Sequence, residues 1–467
     1  MSINRPMPAS SVNHPTPERA LAAFITGFDL AQVPDDCRRI VRLMVKANAG
    51  TAFAGAAEDG IAALRALLCE AGGAPQARTF VFGDRLPAQA AAQFNATLCR
   101  ALDFCDAMAP GPHFGAALFP AAIAAAELRH HCTGQEFMAA LVVGAEVGAR
   151  MNLSEAQYDG FDPTGVAVVF AAAAAASRIL RLSEAQTLDA LALAFNRCGG
   201  SFQSHVDGSL GVRIVQGWVA EAGVQCAQLA RLGCSGPANF LTGHYGYAHL
   251  FGRDRLEVAS VINGLGEQWR LRQVVFKKYP SCGVTQGVTE LTLALIAEVG
   301  LAAHDVSAVA VRLPPYAHRL VGHPFLPGMN PRVDAQFSAA YCVANAMVRR
   351  GSQLRDFTPA SVADHAVRAL LARIAVHADP ALDARGHTAV DLIVTTTDGH
   401  RLERSLDVAP GFPGADLSDE QHAARFADCL AYAPRSPSPT QADRLVDAIE
   451  GLEQLGRAQA LVDLMIV

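Results

Sequence analysis

Apolar residues recur at helical spacing through most of the first half of the chain. Windows at 17–28, 34–53, 59–71, 86–102, 116–131, 136–151 and 164–182 carry them three and four positions apart, the period of one helix face. Ser183, with Gln186 three residues on, is a capping-box pattern and predicts another helix start. Gly199-Gly200 predicts its end, and 212–232 reads as a further helix stopped by Gly233. No strand is predicted in this region. The most apolar stretch, 165–176, ends in a run of alanines and is stopped by Ser177 and Arg178. It falls short of the ~18 residues that a membrane span needs. It predicts a buried helix against which neighbouring backbones pack closely.

The pattern changes near Trp269. Residues 284–299 and 335–350 remain helical, but 306–313 alternates like a half-buried strand and 373–378 reads as a second one. Residues 388–397 and 400–408 flank Asp398-Gly399, which predicts a hairpin with a type I′ turn. After Pro410-Gly411-Phe412-Pro413 the chain is helical again. Ser418 with Gln421 and Ser438 with Gln441 mark starts, and Pro439 takes the favoured first helical position. The apolar faces of 424–430 and 445–466 need a partner to bury against. The expectation is a mainly α fold. A large all-helical domain covers 1–268, and a smaller α+β lid domain covers 269–409. C-terminal helices, 410–467, return to pack on the helical domain.

Composition narrows the function. Hydrophobic residues make up 51% and charged residues 18%, which excludes a disordered chain. The net charge of −6 comes with no basic block, so a nucleic-acid footprint is absent. The eleven cysteines are an odd number without CxxC spacing. They predict neither a disulfide framework nor a structural metal site, and they fit a reducing compartment such as the cytoplasm. Residues 1–17 are polar and Pro-rich, unlike a secretory leader. Neither a phosphate-cradling glycine loop nor a GxSxG nucleophile elbow is present. His130-His131 would diverge on a helix and make a poor chelating pair. His244 and His249, in a predicted loop, read as structural.

Two segments carry candidate chemistry. In 102–115, LDFCDAMAPGPHFG, Asp103 and Asp106 follow an apolar helix, and a Pro/Gly loop presents His113 just before another. Titratable groups held against apolar walls have shifted pKa values, which acid–base catalysis exploits. In 275–283, VFKKYPSCG, two lysines and a tyrosine sit at the expected domain boundary, where ligand sites are favoured. A lysine there can bind a carboxylate or act as a base.

These segments, in this order, resemble the MmgE/PrpD family. LDFCD…HFG is similar to its DFDD…HPSG loop, and GFDPTG, at 160–165, to its GFHPTG stretch before an Ala-rich helix. QGWVAEAG at 216–223, FKKYPSC at 276–282 and AQFSAAY at 335–341 resemble three further family segments. The resemblance implies a helical domain with an α+β lid, a site in the cleft between them, no organic cofactor or metal, and a homodimer. It implies proton transfer at a carbon next to a carboxylate, in small di- or tricarboxylic acids. Asp103, His113 and Lys277 are implied as catalytic, with Asp103 orienting His113 and His318 or Tyr316 supplying an opposite acid. Asp162, Arg213, Lys278, Tyr279, Cys282, Gln286 and Tyr316 are implied around the substrate. The chain departs from the family pattern where Asp162 replaces a His, Val212 a Lys, Gln286 a His and His318 a Tyr. These changes imply less positive charge than a tricarboxylate pocket carries. The reading is a dehydratase-like lyase. An epimerase of an iminodisuccinate-like amino-dicarboxylate, a decarboxylase of the cis-aconitate type and a non-catalytic binding member are the alternatives.

Overall fold

The computed structural model describes residues 16–328 and 330–467. The N-terminal stretch read above as no secretory leader lies outside them up to residue 15. The fold is mainly α with a small sheet-containing part. None of the described helices is long and apolar enough to cross a membrane.

The alanine-rich helix, Pro163–Ile179, is the centre of the larger core. Asp162 caps its first turn, accepting from the Thr164 N–H at 2.8 Å, and Pro163 takes the first helical position. Its alanines let two neighbours come close. A side chain at Gly223, on helix Gly211–Arg231, would lie 2.3 Å from the Ala172 Cβ; one at Gly144, on helix Gly134–Met151, would lie 2.8 Å from the Ala171 carbonyl oxygen.

Helix Gly134–Met151 pins the segment that leads out of this core. Arg150 is fully buried. It pairs with Glu146 at 2.6 Å and donates to the carbonyls of Val261, Asn263, Gly264 and Gln268 at 2.7–3.0 Å. The other Glu146 oxygen accepts from the Leu271 N–H. Every donor of the guanidinium fork therefore has a partner, which is the condition for burying it.

The C-terminal helices Asp419–Tyr432 and Pro439–Glu450 return to the same core, to which Phe426, Leu445 and Ile449 belong. A second core gathers buried residues from Cys282 to Val394. It lies under a four-stranded sheet in the order Ile374–Ala378, Val306–Leu313, Val390–Thr396, Arg401–Leu406. The first pair is parallel and the other two antiparallel. Ala54, Leu102, Phe104, Leu354 and Cys429 form a small cluster where three parts of the chain meet.

Two expectations are corrected. The first half is not free of strands: Ala77–Arg78 pairs with Arg85–Leu86, and Asp106–Met108 pairs with Val274–Phe276. Such two- and three-residue ribbons are too short to show a period. The hairpin turn is not type I′, because only Gly399 has a positive φ, +90°. The Thr396 carbonyl accepts from the Gly399 N–H, and the Thr396 N–H donates to the His400 carbonyl, giving a three-residue loop with glycine in its left-handed position.

Arg150→Met is expected to destabilise the protein by about 3–5 kcal/mol, because it leaves Glu146 buried without its cation. Urea unfolding of the variant against wild type checks this.

Candidate active site

The ribbon between Asp106–Met108 and Val274–Phe276 assembles the site. Its register sets Asp106 opposite Phe276, so Lys277 emerges beside the chain at 103–105. Lys277 is buried; its Nζ lies 2.8 Å from Asp103 Oδ2 and donates to the Asp103 carbonyl at 2.7 Å. Arg100, at the end of helix Ala88–Arg100, reaches Asp103 Oδ1 at 2.6 Å. Asp103 has φ +53°, a left-handed conformation that costs an L residue energy and turns the chain sharply just after the helix. Burial alone would raise the Asp103 pKa, but the Lys277 ammonium and the Arg100 guanidinium outweigh it and hold the carboxyl well below the usual range.

His113 is fixed from both ends. Its backbone N–H donates to Thr164 Oγ1, and its carbonyl accepts from Gln216 Nε2. Its Nδ1 lies 2.9 Å from the Asp106 carbonyl oxygen, with the Cys105 sulfur at 3.2 Å. A carbonyl only accepts, so Nδ1 carries the proton and Nε2 holds the lone pair. Nε2 is 3.6 Å from Asp103 Oδ1. Burial, with the Arg100 and Lys277 charges adding to it, pushes the His113 pKa well below the usual value, so the ring is neutral. The imidazole is thus oriented by a backbone carbonyl at Nδ1, and Asp103 stands on the Nε2 side. This corrects the expectation that the Asp103 carboxylate orients the ring. The Asp106 side chain is structural: it accepts from Asn48 and from the Gly115 N–H at the start of the next helix.

These groups line a cavity between the two cores, with about 680 Å³ of space including its mouth. Met108, Pro163, Phe202, Val275, Leu320 and Phe337 give it apolar walls. Arg100, Asp103, His113, His205, Lys277 and His387 supply its ionisable groups. Arg100 and Lys277 against Asp103 leave one net positive charge. His387 is paired with Glu155. Cys282 and Tyr316 also face this space, and burial pushes the Cys282 thiol up to about 11.

Other expected site residues lie elsewhere. Arg213 is withdrawn from the cavity, donating to the Asp59 carbonyl at 2.9 Å. Lys278 is neutralised by Glu290 at 2.7 Å, and the Tyr279 hydroxyl donates to the same carboxylate. Gln286 bonds both the N–H and the carbonyl of Tyr279, bracing the segment behind the cavity. His318 shares helix Pro315–Val321 with Tyr316, but two residues turn it about 200° away, and its ring lies over Gly322. Asp162 does not line the cavity; its Oδ2 is 4.0 Å from His205 Nδ1. His249 pairs with Asp254 at the surface, and His130 caps its helix.

Arg100, His205 and His387 were missed. Arg100 had a signal, since its position three residues before Asp103 is ion-pair spacing on a helix. His205 and His387 sit in segments with no sequence pattern around them.

A helical core, a smaller sheet-bearing core and a buried cationic site between them define a two-part, mainly helical protein built around a cleft. Residues 19–258 match the MmgE/PrpD N-terminal domain and 279–451 the MmgE/PrpD C-terminal domain. The chain belongs to the MmgE/PrpD family. It is 26% identical to the cis-aconitate decarboxylase of Homo sapiens over 396 residues, covering 82% of this chain and 80% of that protein. It is 27% identical to the cis-aconitate decarboxylase-like protein oryM of Aspergillus oryzae, covering 73% and 75%.

Neutral buried histidines make the fold acid-sensitive. His113 is depressed, and burial brings His422 down to about 4. The unfolded chain therefore binds more protons than the folded one below a pH of about 6.5. Stability is expected to fall with pH there, by up to about 1.4 kcal/mol per pH unit for each such histidine. Denaturant unfolding at pH 7, 6 and 5 checks this, and His113→Asn is expected to flatten the slope.

Proposed function

We propose that the protein is a cofactor-independent lyase of the dehydratase kind, acting on a small carboxylic acid. The observation that carries this is the His113 imidazole. It is neutral and tied at Nδ1 to a carbonyl, and its Nε2 faces the Arg100–Asp103–Lys277 cluster, which carries one net positive charge. Such a group is a general base awaiting an acidic proton.

Arg100 and Lys277 would hold the substrate carboxylate through the positive charge that Asp103 leaves uncompensated. His113 Nε2 would take the proton from the neighbouring carbon. Charge then develops on the carboxylate oxygens, where fixed cations in a water-poor site stabilise it most. Loss of a hydroxyl from the next carbon completes a dehydration. Membership of the family, and relatives that are named decarboxylases, support chemistry of this lyase type. One net positive charge fits an acid with fewer carboxylates than cis-aconitate. The presence of two imidazoles, His113 and His205, on one cavity favours epimerisation as the second reading, because reprotonation on the other face needs a second acid. A homodimer belongs to the same proposal, as does a cytoplasmic location; the latter is supported by eleven cysteines that are all unpaired.

His113→Ala is expected to abolish turnover while leaving the circular-dichroism spectrum unchanged. The assay is proton NMR in D₂O with methylcitrate, citrate, malate, tartrate and iminodisuccinate. New vinyl signals indicate elimination, and deuterium entering an unchanged acid indicates epimerisation. Near wild-type activity in the variant refutes the mechanism.

A further inference from the structure

His205 lies in the one-turn helix Gln203–Val206, directly after a loop, 199–202, that is fastened to the start of the alanine-rich helix. Phe161 and Ser201 form an antiparallel bridge. The Asp162 N–H donates to the Gly200 carbonyl, the Gly199 N–H to that of Gly165, and the Phe202 N–H to that of Gly160. Gly165 is required here, since a Cβ would come within 1.7 Å of the Gly199 carbonyl oxygen. The loop cannot shift without breaking this set, so Asp162 and His205 hold a fixed relation.

The His205 ring stacks on Phe202, with centroids 4.5 Å apart and planes 9° from parallel, and meets the edge of Phe337. Both phenyl rings line the cavity, as does the imidazole. Its Nδ1 is buried without a hydrogen-bond partner. The nearest anion is Asp162, whose Oδ1 is used by the helix cap and whose Oδ2 lies 4.0 Å away. Arg100, Asp103 and Lys277 are the other charges that His205 feels.

We propose that His205, positioned by Asp162, is the second acid–base residue of this cavity and delivers the proton that the leaving group needs. This rests on the lyase reading above. His113 Nε2 takes the proton from the carbon beside the carboxylate, and that C–H electron pair becomes the new double bond. The C–O bond breaks with its pair on oxygen. His205 gives its proton to that oxygen, which departs as water. His113 then loses a proton to solvent and His205 regains one, so the site is restored.

The surroundings of the two rings suit this division. Burial and the Arg100 and Lys277 cations lower both rings, and the leading opposing influence is Asp103 on His113 and Asp162 on His205. His113 commits Nδ1 to a carbonyl and keeps Nε2 as an acceptor, whereas His205 Nδ1 has only the Asp162 carboxylate near it.

The test compares wild type, His205→Gln and Asp162→Asn, using the acids above as probes in D₂O. In His205→Gln, deuterium exchange beside the carboxylate is expected to persist, while net elimination falls about 100-fold or more. The basic limb of the kcat/KM profile should disappear in the same variant. In Asp162→Asn that limb should move to lower pH, because the ring has lost its anion. Histidine NMR of the ligand-free protein should show the same downward shift for His205 alone. If exchange and elimination fall together in His205→Gln with an unchanged pH profile, the ring only packs the wall and the assignment is wrong. Undiminished elimination in that variant also overturns it, and leaves the lyase reading standing. A wild type that neither eliminates nor exchanges deuterium into any of these acids overturns both.

Discussion

Asp103 is a carboxylate taken out of water, and it stays ionised because Arg100 and Lys277 come with it. A lone buried charge would cost several kcal/mol and would neutralise itself. Each of the three groups arrives from a different piece of backbone: the end of a helix, a residue with positive φ, and the exit of a strand. The ribbon Asp106–Met108 with Val274–Phe276 makes their meeting a matter of register, because a slip of one residue would carry Lys277 to the other face. Further ties hold the same loop. Gln336 donates to the Leu102 carbonyl, and Arg425 donates to that of Phe104 while lying over its ring. Residues from the sheet-bearing core and from the C-terminal helices therefore stabilise the conformation of one short segment of the helical core.

The same ions set the charge of the cavity. Asp103 lowers the free charge of the floor to a single positive unit. The other basic residues near this region are already engaged, Arg213 with a carbonyl and Lys278 with Glu290. The charge of the cavity is therefore the one unit that Asp103 leaves uncompensated on Arg100 and Lys277, not the number of cations that the sequence contains.

The mainly α fold was legible because its helices are long and carry the 3.6-residue period, and because Ser183, Ser418 and Ser438 announce their capping patterns. The sheet was legible from alternation in 306–313. The ribbon that builds the site was not, since three residues have no period and their pairing partner lies more than 160 positions away. Asp103, His113 and Lys277 were found through motif resemblance, and the structure brings them together. Their roles were less legible: spacing could not say that a carbonyl, rather than a carboxylate, fixes the His113 tautomer. Neither could it say that His318 turns away or that His205, in a one-turn helix too short to show a period, turns in. The facing of helices this short is set by tertiary contacts that leave no local trace.

Alanine and glycine dominate the helix contacts behind His113 and Asp162. Side chains this short have no rotamers to exchange, so the scaffold behind that wall is a stiff plate, with Met108, Phe202 and Val275 as the surface it carries. The facing wall, with Tyr316, Leu320 and Phe337, is built from longer side chains around the second core. Mechanical compliance is therefore unequal across the cleft. A body too large for the cleft meets one backing that cannot yield and one that can, so any adjustment of the cleft's width falls to the softer side.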